Sequence, residues 1–263
     1  MKVVVQCPAK LNLFLAVGPK DQHGYHPLRT IFQAVSLFDI LEVESSETDS
    51  FVANSPALPE VNTVTKALSY IKEVSSVPPL RIVLEKHIPS EAGLGGGSSD
   101  AGGLLRAIDA FLPAPLTMAT KRDIAVAVGA DVPFFLMGGK ARAEGYGEIL
   151  EPLNEVDRFH YVVWKPPFGC PTGQMFKELD SRPRQWLEFP VENRLYNDFE
   201  RVAPCGCLER IDVLLSLGAV DAGLSGSGSA VFGRFESEDR AIRAKHLLPP
   251  EEFAAVCSPM ARF

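Results

Sequence analysis

The segment that most restricts this chain is Pro89-Ser-Glu-Ala-Gly93-Leu-Gly95-Gly96-Gly97-Ser98-Ser99-Asp100-Ala101. Residues 93–99 hold four glycines and two serines. Before the segment, residues 80–85 alternate like a strand. After it, residues 98–111 put Ala101, Leu104, Leu105, Ile108 and Phe111 on one helical face. Glycines let successive backbone N–H groups turn toward one point with no Cβ in the way. A helix start adds free N–H groups and the positive end of a dipole, and Ser98 and Ser99 add hydroxyls. Strand, glycine loop and helix together predict a cradle for a polyphosphate.

Two better-known phosphate loops do not fit. The P-loop ends in Gly-Lys-Ser/Thr, whereas Gly97 is followed by Ser98. The dinucleotide fingerprint needs Gly or Ala three residues after its second glycine; counted from Gly93 and Gly95, that position is Ser98. Within the helix, the pair Gly102-Gly103 costs roughly 1 kcal/mol per residue against Ala, so another part of the chain is expected to pack very closely there.

Three further segments carry chemistry. In Pro8-Ala-Lys10-Leu-Asn12-Leu-Phe-Leu15 a strand places Lys10, Asn12 and Phe14 on one face and three leucines on the other. Lys10 and Asn12 then point together into a cleft or into solvent. In Gly129-Ala-Asp131-Val-Pro133-Phe-Phe135 an acid stands beside an apolar run, where it needs a partner or a task. Gly223-Leu-Ser-Gly226-Ser-Gly228-Ser229 is a tight turn between strands. Read singly, each is equally an exposed pair, a helix-terminal turn and a hairpin connection.

The rest of the chain reads as mixed structure. Strands are expected at 3–6, 11–17, 31–35, 39–43, 80–85, 161–164, 219–224, 230–235 and 253–256. Helices are expected at 62–74, 98–111, 120–128, 173–179, 208–217 and 239–247, with 180–199 irregular. Strands adjoining in sequence favour α+β over a doubly wound sheet. The net charge of −7 excludes nucleic acid as a global electrostatic partner. No apolar run approaches the roughly 18–20 residues of a membrane span, and the N-terminus lacks a signal peptide's shape, so a cytoplasmic protein is expected. Five irregularly spaced cysteines read as reduced structural thiols.

Taken together, the four motifs resemble the GHMP kinases, the superfamily of galactokinase, homoserine kinase and mevalonate kinase. The triple glycine and Gly24-Tyr25-His26 are similar to its branch acting on a cytidine-diphosphate alcohol, and the likeness spans about residues 3–233. The resemblance implies a two-domain α+β kinase, 1–155 binding ATP and 156–263 C-terminal, with the active site in the cleft between them. It implies that Lys10 and Asp131 are the catalytic pair. ATP is the implied phosphoryl donor, with Mg²⁺ expected on its phosphates. The implied ATP contacts are Asn62 and Lys86 on the adenine side and Pro89, Ser90, Glu91, Ala92, Gly93, Leu94, Gly95, Gly96, Gly97, Ser98 and Ser99 around the phosphates. Substrate contacts are implied at Asn12, Tyr25, His26, Thr172 and Phe176, with Tyr25 and Phe176 stacking the base and His26 bonding its edge. No metal ligand set and no oligomeric state follow, although Ser99 is a candidate ligand. The rival readings are a mevalonate- or homoserine-type kinase and a catalytically silent relative that senses a ligand.

Overall fold

Two long antiparallel strands, β1 (Lys2–Val17) and β2 (Leu28–Ser45), form the spine of the computed structural model, which describes residues 1–55, 58–155, 157–190 and 194–263. Sequence patterning expects two short strands in place of each. The strands run on because register shifts absorb the interruptions. Pro8, which cannot donate a ladder hydrogen bond, sits at a shift between Pro8 and Ala9. A second shift, between Asn12 and Phe14, corrects the expected face alternation. An extra residue there turns Phe14 away, toward Phe189 and Tyr196, and Leu15 joins Lys10 and Asn12 on the cleft side.

Strands β3 (Ser50–Ala53) and β4 (Leu80–Glu85) extend the sheet past β2, and β5 (Lys140–Glu144) with β6 (Ile149–Leu153) branches from β2. A second sheet orders β11 (Phe253–Cys257), β7 (His160–Lys165), β10 (Val231–Phe235) and β9 (Asp221–Leu224) in that sequence. The two-residue β8 (Tyr196–Asn197) returns to pair in parallel with β1. The fold is thus α+β, and its sheets are mostly antiparallel. Val156, the expected start of the second domain, lies outside the described residues, as do residues 191–193 of the irregular stretch.

Helices α1 (Thr63–Val74), α2 (Gly96–Ala107) and α3 (Met118–Val128) pack on the first sheet through Ile71, Leu104, Leu105 and Ile124 against Leu41, Val43 and Ile82. The one-turn α4 (Phe134–Met137) lies against α2. Close approach at the glycine pair is borne out. A Cβ on Gly102 would lie 2.6 Å from Phe135 Cβ, and one on Gly103 2.4 Å from Cys7 Sγ. Helices α5 (Thr172–Asp180), α6 (Cys205–Ser216) and α7 (Glu238–His246) pack with the second sheet around Trp164, Leu214 and Phe235. A third apolar cluster joins the sheets: Leu11, Leu13, Ile88 and Leu94 meet Tyr161, Val163 and Phe232. Each such buried side chain contributes roughly 1.5–3 kcal/mol, so the cleft above this cluster has a rigid floor. All five cysteines are free. Among the described residues no helix is long and apolar enough to cross a membrane.

Candidate active site

The glycine segment is held open by backbone geometry. Gly93 has φ +72°, and a Cβ there would lie 2.0 Å from the Ser225 carbonyl oxygen. The loop docks on the late Gly/Ser turn through backbone bonds. Ser229 N–H donates to Glu91 O (3.2 Å) and Ala230 N–H to Ala92 O (3.1 Å). Ser225 Oγ donates to Gly93 O (3.0 Å). The turn read as a possible hairpin connection is therefore the clamp that fixes the loop. Gly95, in the left-handed region, starts α2 with no side-chain cap. Uncapped first-turn N–H groups and the positive helix end suit an anion. Ser99 Oγ in that turn is fully buried with no hydrogen-bond partner. These groups fit a polyphosphate.

A cleft of about 410 Å³ opens over this loop. Its lining includes residues 89–97, Lys10, Asn12, Thr30, Lys86 and Asp131 from one side and Thr172, Phe176, Gly226 and Ser227 from the other. On its floor Lys10 Nζ donates to Asn12 Oδ1 (2.5 Å) and stands 3.7 Å from Asp131 Oδ2. Asn12 Nδ2 donates to Thr30 Oγ1 (2.8 Å), which donates to Phe14 O (2.7 Å). Lys10 N–H donates to Leu94 O (2.9 Å), tying the strand to the glycine loop. Burial pushes the Lys10 ammonium's pKa down, and Asp131 pulls part of the way back. The arrangement presents a fixed cation, an anion at the cleft edge and an anion cradle within one space. Thr172 Oγ1 pairs with Ser227 Oγ at 3.0 Å on the facing wall.

Lys86 sits at the loop's edge, its Nζ 3.1 Å from where a Gly96 Cβ would lie. It is clamped between Asp39 and Asp100, 2.7 Å from Asp100 Oδ2. Asp39 Oδ1 also accepts the His87 and Ile88 N–H groups. Burial pulls the Lys86 ammonium's pKa down, but Asp100 and Asp39 outweigh it and hold it above the ordinary lysine value. Burial pushes the Asp100 carboxyl up to about 7, with Lys86 pulling down and Asp39 pushing up. A raised carboxyl keeps in the folded state a proton that the unfolded chain has lost. Its contribution to stability is therefore lost as pH rises from its ordinary value toward 7, and is constant above that. Asp100→Asn removes this titration. Its stability relative to wild type should climb between pH 5 and 7 by up to about 1.4 kcal/mol per pH unit, then level off. Denaturant unfolding across that range checks it; parallel profiles would show that Asp100 does not titrate there.

A second pocket, of about 390 Å³, adjoins the cleft and shares Leu28 and Phe176 with it. His26 and Tyr25 both line it. The His26 ring stacks on Phe176 at 5.3 Å and 16°. Its Nδ1 is 2.7 Å from Gly18 O, and its Nε2 is 3.0 Å from Asp180 Oδ1 but not aligned for a hydrogen bond. Tyr25 is largely exposed and packs against Tyr146 at 5.7 Å.

Of the sequence-predicted residues, the cleft brings together Lys10, Asn12, Lys86, residues 89–97, Asp131, Thr172 and Phe176, with Tyr25 and His26 next door. Asn62 is not brought there. Its Oδ1 accepts the Val64 and Thr65 N–H groups as the N-cap of α1, and its Nδ2 donates to Pro59 O. Ser98 and Ser99 lie in the α2 turn behind the lining. Sequence reasoning missed Thr30, Asp39, Ser227 and Tyr146. Thr30 and Asp39 are two of several polar residues in β2, and nothing in the sequence marks them as the buried ones that serve the site. Among the described residues no group of three His, Cys, Asp or Glu could hold a metal ion.

The family model for the GHMP kinases N terminal domain matches residues 62–139, and that for the GHMP kinases C terminal matches residues 209–255. The chain is 34% identical to the 4-diphosphocytidyl-2-C-methyl-D-erythritol kinase of Thermoanaerobacter sp. (strain X514), covering 92% of this chain and 91% of that protein. It is 37% identical to the enzyme of the same name from Syntrophus aciditrophicus (strain SB), covering 95% and 96%. A crystal structure of 4-(cytidine 5'-diphospho)-2C-methyl-D-erythritol kinase superposes with TM-score 0.85 at 34% identity, covering 98% of this chain and 99% of that one. A homoserine kinase structure from Cytophaga hutchinsonii shares the fold, with TM-score 0.73 at 17% identity, covering 99% of this chain and 95% of that one.

Proposed function

The chain belongs to the GHMP kinases, and within them to the 4-diphosphocytidyl-2-C-methyl-D-erythritol kinases; from that premise we propose how it moves the γ-phosphoryl group of ATP to its alcohol. The acceptor is the 2-hydroxyl of 4-diphosphocytidyl-2-C-methyl-D-erythritol, in the non-mevalonate isoprenoid pathway. The observation that carries the reading is contiguity. The Lys10–Asp131 pair and the glycine cradle line one cleft, and the aromatic pocket adjoins that cleft through Leu28 and Phe176.

In this reading residues 1–155 form the ATP-binding domain and residues 156–263 the C-terminal domain of a cytoplasmic enzyme. Residues 93–97 hold the phosphates through backbone N–H groups, and Lys86 supplies charge at the loop's edge. Asn12 and Thr172 position the erythritol part. Asp131 orients the attacking hydroxyl and accepts its proton as the bond to phosphorus forms. The hydroxyl oxygen bonds to the γ-phosphorus as the bond to ADP breaks. Lys10, locked by Asn12, offsets charge on the moving group. Mg²⁺, when bound to ATP, neutralises phosphate charge. Ser99 would reach that ion only from behind the loop, since its unpartnered hydroxyl is fully buried and outside the cleft lining.

Tyr25, His26 and Phe176 recognise the cytosine. Stacking a base on an aromatic ring is worth about 1–3 kcal/mol. Cytidine diphosphate should therefore compete with the alcohol substrate and not with ATP, and Tyr25→Ala should weaken that competition roughly 10-fold or more. Initial-rate kinetics with ATP and the alcohol varied in turn decides the matter. Competition against ATP alone would assign the pocket to another ligand and favour a mevalonate- or homoserine-type substrate.

A further inference from the structure

The wall of the aromatic pocket is built by a contact between two turns far apart in sequence. Residues 21–25 form a turn closed by Asp21 N–H donating to Tyr25 O (2.8 Å). Asp21 Oδ1 also accepts the N–H groups of His23 (2.9 Å) and Tyr25 (3.0 Å). One carboxylate oxygen is thus used within the turn. The other accepts the hydroxyl of Tyr146 at 2.5 Å. The Tyr146 ring meanwhile lies against Tyr25, 5.7 Å between centroids at 60°.

Tyr146 stands on the turn between β5 and β6, and that turn is itself anchored. Its N–H donates to Glu148 Oε2 (2.7 Å), and Gly145 O accepts from Leu28 N–H (2.7 Å). The next residue, Gly147, abuts the catalytic acid: a Cβ there would lie 3.5 Å from Asp131 Oδ1. One short turn therefore touches the base pocket through Tyr146 and the phosphoryl-transfer site through Gly147. Tyr25 is itself 66% exposed, and among the described residues the other hydrogen bonds of the 21–25 turn stay within the turn.

We propose that Tyr146 is a positioning residue for substrate recognition: by bonding Asp21 and packing on Tyr25, it holds the 21–25 turn so that Tyr25 forms a fixed wall for the planar base of a cytidine-diphosphate alcohol. The inference rests on the substrate reading above. A side chain pre-placed in the free enzyme spares the ligand the cost of ordering it. Tyr146 therefore acts on binding of the alcohol and leaves ATP untouched.

The test uses the full chain with three variants, Tyr146→Phe, Tyr146→Ala and Asp21→Asn. Cytidine diphosphate affinity is measured by calorimetry, KM for the alcohol and for ATP by steady-state kinetics, and Tm by thermal unfolding. Tyr146→Phe should weaken cytidine diphosphate binding about 3- to 10-fold, and Tyr146→Ala more than about 10-fold, with KM for the alcohol rising in step. KM for ATP and Tm should hold near wild type. Adding Tyr146→Phe to Asp21→Asn should bring less than the sum of the two single losses, because both act on one contact. If wild type binds cytidine diphosphate and both Tyr146 variants bind it equally well, the inference fails while the substrate reading stands. Equal rises in both KM values with a lowered Tm make Tyr146 a general structural residue and also overturn it. If wild type itself ignores cytidine diphosphate, the substrate reading fails and the inference with it.

Discussion

Asp131→Asn should lower kcat at least roughly 100-fold and leave ATP affinity nearly unchanged. A factor of 100 is about 2.7 kcal/mol of barrier, which fits loss of one charged group that meets the reacting hydroxyl. Asparagine keeps the shape of the side chain but removes the anion 3.7 Å from Lys10 Nζ. Two effects then combine. The hydroxyl loses the acceptor for its proton. Lys10, whose pKa burial already depresses, loses the one charge that offsets burial and stabilises the moving phosphoryl group less well. The glycine loop should be unaffected, because its bonds run to the Gly/Ser turn and to the Lys10 backbone, not to Asp131. Steady-state kinetics paired with an ATP titration separates the two effects. Turnover near wild type would remove Asp131 from the mechanism.

The site was legible where side-chain identity alone carries the chemistry. A run of glycines before a helix has few other uses, and Lys10, Asn12 and Asp131 are polar residues in apolar surroundings. Their convergence was not legible from spacing, because they come from a strand, a loop and a turn more than 30 residues apart; the family resemblance supplied it. The same limit explains the misses. Asp39 serves the loop only because β2 passes beneath His87 and Ile88. Tyr146 lines the aromatic pocket only because the β5–β6 turn lands on Asp21. Asn62 shows a structural task that the ligand expectation did not include: its side chain caps α1.

The misread faces and the split of β1 have one cause. Periodicity assumes that alternation is unbroken, and β1 breaks it twice. At Pro8 the break made one strand look like two. Between Asn12 and Phe14 it shifts the faces by one residue, so Leu15 and not Phe14 borders the cleft. Short strands such as β3, β5 and β6 were missed because four or five residues carry too little pattern to stand out. The helices fared better, since the apolar faces of α1 and α2 repeat over three turns.

Gly93→Ala and Gly97→Ala should part company sharply, and their contrast tests the phosphate cradle. A methyl group at Gly93 meets the Ser225 carbonyl oxygen at 2.0 Å, and φ is +72°. That neighbour is backbone, so it cannot rotate away. The left-handed conformation costs a residue with a Cβ roughly 1–2 kcal/mol, and overpacking adds typically about 1–3 kcal/mol. The loop would leave the Gly/Ser turn that clamps it, so stability should fall by about 2–5 kcal/mol and ATP affinity should fall with it. At Gly97 an added methyl meets a side chain and not backbone, so a shift of a few tenths of an ångström at Thr63 accommodates it. The nearest atom to an added Cβ is Thr63 Oγ1 at 3.3 Å. Alanine in a helix is favoured over glycine by roughly 0.5–1 kcal/mol, so Gly97→Ala should unfold at the same or slightly higher urea concentration. Its ATP affinity should still drop about 10-fold or more, because the methyl group occupies space into which the α2 N-terminus receives phosphate. Urea unfolding and ATP calorimetry on both variants give the comparison. A Gly97→Ala protein that folds normally and binds ATP as tightly as wild type would show that phosphate does not approach the start of α2.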